Sequence, residues 1–139
     1  MKNCFKYLFC IIVFVGCQKS VLLSDSTKIN GYWEVDYVIL PDGEKKDYKI
    51  NETNDFFEIK NNVGFRKKVT PQYDGTYLIN EQQESVRLFE KNDHIFMEYK
   101  TLYAKWEEEI LVLSGEELVL KNDQKLEYHY KRPVIFTVK

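Results

Sequence analysis

The sequence predicts an all-β protein, an antiparallel up-and-down meander that closes into a small barrel of 8 or 9 strands. Aromatic residues make up 15% of the 139 residues, with ten Tyr and nine Phe, and such rings suit half-buried strands. Turn residues separate most of the apolar runs at roughly the 8 to 12 residue spacing of a sandwich or barrel. No segment has a sustained helical period, and closing the meander removes exposed strand edges.

The first predicted strand runs from Ile29 to Leu40, where apolar residues alternate with acidic ones. A period of two is typical of a strand with one face in a core and one in water. Gly31 opens the strand, Glu34 and Asp36 face outward, and the inward face carries Trp33, Val35, Tyr37 and Ile39. A turn follows at Pro41-Asp42-Gly43, and residues 44–54 form a polar loop or a short irregular strand.

The remaining strands are shorter alternating runs separated by turn signals such as Asn61-Asn62 and Asn92-Asp93. They are predicted at 55–60, 63–70, 75–80, 85–91, 94–101, 104–113, 117–121 and 125–131. Leu111 and Leu113 interrupt the alternation around Ile110, which predicts a bulge or burial on both faces. Glu108 shares the phase of Trp106 and Ile110 and can therefore point inward.

The alternation assigns the remaining inward faces. They comprise Phe57, Ile59, Val63, Phe65, Val69, Tyr77, Ile79, Val86, Leu88, Ile95, Met97, Tyr99, Trp106, Ile110, Leu118, Leu120, Leu126, Tyr128 and Tyr130. Several of these residues are Tyr, which combines an apolar ring with one hydroxyl that can orient a ligand.

The N-terminal segment has the layout of a secretory signal. Lys2 and Lys6 precede an apolar run that is too short to span a bilayer, and Gly16 follows it. The stretch from Phe14 to Cys17 resembles the bacterial lipoprotein signal, in which the Cys receives diacylglycerol and palmitate. We therefore expect a signal peptide over 1-16, and a lipidated Cys17 with a flexible tether over 17-28. An ordinary signal peptide followed by a coincidental Cys is the alternative.

Loss of the signal would also remove Cys4 and Cys10, so that no free thiol would remain beside a lipidated Cys17. Disulfides, cysteine-bound zinc and a cysteine nucleophile are then excluded from the mature chain. Without Lys2 and Lys6, 18 basic residues face 22 acidic ones, a formal charge of -4. This balance does not favour nucleic acid as a partner.

Candidates for catalysis and metal binding are few. The only histidines are His94 and His129, both on predicted outward faces, which leaves no His-based acid, base or metal centre. Ser114-Gly115 is typical of a turn and not of a nucleophile elbow. The sequence therefore predicts a protein that is not an enzyme, with no cofactor and no metal site.

Gly31-Tyr32-Trp33 matches the Gly-x-Trp opening of lipocalins and is followed by a meander of strands. The chain therefore resembles a lipocalin-like domain lipoprotein of the bacterial envelope. The resemblance implies a lipocalin-like barrel over 29-132, a C-terminal tail over 133-139, and a barrel floor in which Trp33 plugs the closed end and Arg132 lies across its ring. It also implies attachment to a Gram-negative envelope membrane, namely the outer membrane facing the periplasm, with surface exposure left open.

Two non-catalytic functions remain open from the sequence, ahead of a third, an enzyme acting on lipid or glycan. In the first, the barrel binds a small apolar or amphipathic ligand through inward side chains, for which we select Tyr37, Phe65, Tyr77, Met97, Tyr99, Trp106 and Tyr128. In the second, the same side chains fill the barrel, and the protein is a non-catalytic structural or interaction module with an envelope protein partner. An eight-stranded barrel permits either outcome, because its interior can be filled by side chains or hold one small ligand.

Overall fold

The computed structural model describes residues 20–49 and 51–134. Over this range the chain forms a 3-10 helix, Leu23–Ile29, and nine strands. The strands are β1 (Gly31–Ile39), β2 (Lys45–Asp47), β3 (Asn54–Lys60), β4 (Val63–Pro71), β5 (Tyr77–Lys91), β6 (His94–Lys100), β7 (Lys105–Leu113), β8 (Glu117–Lys121) and β9 (Glu127–Lys131). The predicted signal, Cys17 and most of the predicted tail lie outside the described residues. No helix within the described ranges is long and apolar enough to cross a lipid bilayer.

The strands form one antiparallel sheet that closes when β9 pairs with β1. One edge of β1 is shared, because Gly31–Trp33 pairs with β3 and Tyr37–Ile39 pairs with the short β2. The opposite edge of β1 pairs with β9 from Glu34 to Ile39. Eight strands therefore make the barrel and β2 is an addition to its rim, which confirms the predicted fold class.

The structure corrects the strand inventory in one place. The segments predicted as separate strands at 75–80 and 85–91 are both parts of β5, whose pairing with β4 shifts register between Lys67 and Val69. The Asn80 side chain accepts a hydrogen bond of 2.9 Å from the Gln82 backbone N–H inside this irregular stretch. What the sequence presents as a turn is therefore a bulge.

Two hairpin turns follow directly from their residues. Asn61 and Asn62 have φ values of 53° and 65°, and Asn92 and Asp93 have φ values of 52° and 64°. Two successive residues with positive φ make the tight turn whose twist matches paired strands, and Asn and Asp tolerate it better than other non-glycine residues. Both predicted turns are confirmed.

The core fills the end of the barrel where β1 begins. Ile29, Trp33, Phe57, Met97 and Leu118 are completely buried there. The 3-10 helix lies under this end, and Val21 and Leu23 pack against the core. The described part of the tether predicted over 17-28 is therefore not uniformly flexible in character, because it contains most of this helix and its partly buried Val21 and Leu23 contact the core, whereas Leu22 is 55% exposed.

Two bulges change which side chains point inward. In β1, the pairing with β9 shifts between Val35 and Tyr37, so that Val38 becomes buried. In β7, the pairing with β8 shifts between Ile110 and Val112, at the bulge that the sequence predicts. Because side chains alternate with a period of two, one inserted residue reverses the faces of all residues beyond it.

Candidate functional site

The closed end of the barrel is sealed by one aromatic ring and one guanidinium group. The Trp33 indole N–H donates a 2.7 Å hydrogen bond to the Ile29 carbonyl. The Arg132 guanidinium lies 3.6 Å from the centre of the Trp33 ring. Arg132 also donates hydrogen bonds of 2.8 to 3.0 Å to three backbone carbonyls, those of Gly115, Tyr32 and Lys28. A ligand therefore cannot enter here without displacing this closure.

Gly31 is required by the geometry of this floor. Its φ of +104° is rarely adopted by L residues, and a Cβ atom at this position would lie 3.2 Å from Nη1 of Arg132. The Gly that opens the first strand therefore leaves room for the arginine that covers the tryptophan.

The open end of the barrel contains a depression of about 370 Å³. Its walls come from three strands. Arg66 and Lys68 lie on β4, Trp106 and Glu108 on β7, and Tyr128 and Tyr130 on β9. Asn122 to Gln124, in the turn between β8 and β9, form part of its rim. The depression therefore combines aromatic rings with charges of both signs.

A buried ionic cluster forms the base of the depression. The Arg66 guanidinium donates two hydrogen bonds to the Glu84 carboxylate, at 2.9 and 3.2 Å, and Nη1 of Arg66 lies 4.0 Å from the Glu108 carboxylate. The Arg66 guanidinium also lies 4.2 Å from the centre of the Tyr99 ring. Nearby, Lys68 forms an ion pair with the buried Asp55 carboxylate. Burying these charges is tolerable because each has an opposite partner.

Burial shifts the ionisation of this cluster. It raises the pKa of the Glu108 carboxyl above its ordinary value, although the positive charge of Arg66 opposes that shift. Burial also raises the pKa values of the Tyr99 and Tyr130 phenols well above their ordinary value, and the Glu108 and Asp55 carboxyls add to both shifts. Both phenols are therefore neutral at physiological pH, and they can act as hydrogen-bond donors or acceptors.

Comparison with known proteins identifies the fold family. The family model for the lipocalin-like domain matches residues 29–120. The chain belongs to this family. The crystal structure of a lipocalin-like protein from Bacteroides uniformis ATCC 8492 is similar to the chain, with a TM-score of 0.50 and 12% identity, over 76% of this chain and 99% of that one.

An uncharacterized protein from Bacteroides eggerthii DSM 20697 gives a TM-score of 0.47 and 12% identity, over 75% of this chain and 98% of that one. No curated protein sequence matches the chain at a significant level. At these identities the structural likeness concerns the lipocalin-like fold alone.

The lipocalin-like barrel brings only part of the predicted ligand set together. Trp106 and Tyr128 line the depression at the open end. Met97 and Tyr99 are completely buried in the core below it. The Tyr99 ring stacks against Trp106, with 5.3 Å between ring centres, so it supports the wall and does not form it.

Three predicted pocket residues lie instead on the outer face of the barrel. Tyr37 stacks on His129, with ring centres 4.3 Å apart, because the bulge after Val35 turns it outward. Tyr77 stacks on Tyr32 at 4.1 Å, since the irregular part of β5 alters the alternation. Their prediction as inward residues is wrong.

Phe65 is the third misplaced residue. It contacts Phe56 on the outer face, and the neighbouring Arg66 faces the interior in its place. The prediction assumes that the apolar residue of an alternating pair is the buried one. Here the charged residue is buried, because Glu84 and Glu108 neutralise it.

Sequence reasoning therefore missed the charges at the base of the site. Arg66 and Asp55 were assigned to no site, whereas Glu108 was recognised as sharing the inward phase of Trp106. Asp55 and Glu108 each fall in phase with apolar neighbours on their own strands, which is the available signal. Arg66 is out of phase with Phe65 and gives no such signal, so only the fold shows that the cation meets these acids. Across residues 20–49 and 51–134, no three His, Cys, Asp or Glu side chains are grouped so that they could hold a metal ion.

Proposed function

We propose that this lipocalin-like domain is a non-catalytic binding protein that holds a small amphipathic molecule at the open end of its barrel. The observation that carries the proposal is the depression of about 370 Å³. Binding sites of this kind combine apolar walls with a few well-placed polar groups. Trp106 and Tyr128 supply the rings, while Arg66 and Glu108 supply the polar groups. A purely apolar ligand fits less well, because it would leave buried charges facing an apolar surface.

A second function, an interaction module for another envelope protein, is favoured by a different observation. Several large apolar side chains are exposed in the loops and strand ends around the open end. They are Tyr73, Leu78, Ile79, Leu102 and Tyr103, the last two being 93% and 96% exposed. Large apolar side chains exposed at one end of a domain are the material of contact sites with other proteins.

The ligand-binding proposal is tested by native mass spectrometry of protein purified from its own host. Wild-type protein should carry a small-molecule adduct. Trp106→Leu should lose it, whereas Phe65→Leu, which removes a ring from the outer face, should retain it. Denaturation midpoints of both variants establish that they are folded. A wild-type protein that shows only its own mass would contradict ligand binding and favour the interaction module.

We also propose that the domain is anchored to an envelope membrane through lipidated Cys17. The support is the resemblance of residues 14–17 to a lipoprotein signal. Two or more acyl chains give stable anchoring, since each buried CH₂ contributes about 0.8 kcal/mol.

The anchor is tested with Cys17→Ser. The variant should leave the membrane fraction and take up no labelled palmitate. The denaturation midpoint of the domain should stay unchanged, because the match to the lipocalin-like domain begins only at residue 29. Retention of the variant in the membrane fraction, or a wild type without label, would refute lipidation at this residue.

A further inference from the structure

We propose that the ligand at the open end carries a cationic amine beside a flat apolar group, with the amine on Glu108 and the flat group on Trp106 and Tyr128. This inference rests on the proposed binding function and names the chemical class of its ligand. It follows from the charge balance of the depression, from the polar atoms of Glu108 and Tyr130 in its lining, and from the aromatic walls.

The cations of the site are already neutralised. Arg66 uses Nε and Nη2 for the two hydrogen bonds to Glu84, and Lys68 pairs with Asp55. An anionic ligand would have to displace one of these carboxylates or lie against Glu108, which is also in the wall. Either arrangement brings like charges together in a partly desolvated site.

The carboxylates of the site are less completely neutralised by cations. Glu108 is only 8% exposed, and its contact with Arg66 is 4.0 Å, which is longer than a hydrogen bond. Asp123 adds a further carboxylate in the rim. After Glu84 and Asp55 have neutralised Arg66 and Lys68, a negative excess therefore remains in the depression. A bound ammonium group would correct it.

Tyr130 offers a second polar group to the same ligand. The residue is only 7% exposed and lines the depression. An ammonium N–H could donate to its phenol oxygen as well as to the Glu108 carboxylate.

The aromatic walls suit the same ligand. Trp106, Tyr128 and Tyr130 come from two strands and face one depression. Aromatic faces attract cations, and the attraction increases when water is excluded. They also stack with flat rings. An amine separated from a ring by a short linker would use both properties.

The test compares three probes of similar size by isothermal titration calorimetry at pH 7.5: phenethylammonium, 3-phenylpropanoate and the neutral 3-phenyl-1-propanol. We expect phenethylammonium to bind at least about tenfold more tightly than 3-phenylpropanoate, because it gains a charge-assisted hydrogen bond. Glu108→Gln, which keeps the shape of the side chain, should weaken the ammonium probe by about tenfold and leave the neutral probe unchanged.

Glu109→Gln is the matched control. Glu109 is the next residue of β7 and pairs with His94, away from the depression, so its replacement makes the same change in net charge without changing the site. It should leave the affinity for phenethylammonium unchanged. Equal losses in the two variants would show a general charge effect and overturn the inference.

The other outcomes are also decisive. Equal or tighter binding of 3-phenylpropanoate or the neutral probe overturns the cationic ligand but leaves ligand binding at the open end intact. If no probe binds, the inference is overturned. If native mass spectrometry of host-purified protein then also shows no adduct, the proposed binding function fails separately.

The affinity should also depend on pH. Burial raises the pKa of Glu108, so its carboxylate is neutralised at a higher pH than an exposed Glu when the solution is acidified. Binding of phenethylammonium, whose own charge stays constant, should therefore weaken as pH falls, and Glu108→Gln should remove most of that dependence. The charged and titratable groups coupled to Glu108 are Arg66, Lys68, Asp55, Tyr99, Tyr128 and Tyr130.

Discussion

Trp33→Ala should lower the free energy of unfolding by about 3 to 5 kcal/mol, the range for emptying a large buried aromatic site. Trp33 is fully buried at the closed end of the lipocalin-like barrel. Its removal leaves a cavity, deprives the Ile29 carbonyl of its 2.7 Å indole donor, and takes the ring from beneath the Arg132 guanidinium. For a single domain with a total stability of roughly 5 to 15 kcal/mol, this is a large fraction.

A urea denaturation curve measures the effect, with Tyr103→Ala as the control. Tyr103 is an aromatic residue that is almost fully exposed in the loop between β6 and β7, so its loss should change the midpoint little. Similar midpoints for Trp33→Ala and wild type would show that the floor of the barrel does not depend on this ring.

Arg66→Met should destabilise the domain by about 3 to 5 kcal/mol, the cost expected when one partner of a buried ion pair is removed. Methionine fills much of the space but leaves the buried Glu108 and Asp55 and the partly buried Glu84 without this cation. Because an uncompensated carboxylate in a low-dielectric site favours its protonated form, the variant should recover stability as pH falls.

The matched control is Arg87→Met. Arg87 pairs with Glu98 at the surface, and its own side chain is 52% exposed. Surface ion pairs contribute about 0 to 1 kcal/mol. Both variants remove one Arg from an ion pair, so the difference between their unfolding free energies at pH 7 isolates the effect of burial. Equal, small losses would mean that water reaches Arg66 freely and that the site is not a buried ionic cluster.

Much of the fold was predictable because local chemistry and burial agree along most strands. Ile95, Met97 and Tyr99 alternate with polar or less buried residues in β6, and the Asn61-Asn62 pair specifies its turn without help from the rest of the chain. Gly31, Trp33 and Arg132 meet at the floor, although 100 residues separate Tyr32 from Arg132, which donates to its carbonyl. The contact of Arg132 with the Trp33 ring was anticipated from the resemblance to lipocalin-like domains and not from the alternation.

The site was harder to predict because it depends on three kinds of long-range effect. The bulge after Val35 turns Tyr37 to the opposite face of β1. The alternation of apolar and acidic residues continues through this point in the sequence, so it does not reveal the bulge. The irregular pairing of β4 with β5 removes Tyr77 from the interior. The burial of Arg66 depends on acids from other strands, Glu84 and Glu108, whose proximity no local pattern records.

The most direct test of ligand binding at the open end is a crystal structure of the protein purified from its own host with its ligand retained. Our account predicts electron density for a small molecule in the depression, against Trp106 and Tyr128 and within hydrogen-bond distance of Glu108 or Tyr130. Density among the core residues around Met97, density on the outer face beside Tyr77, or an open end without any bound molecule would contradict it.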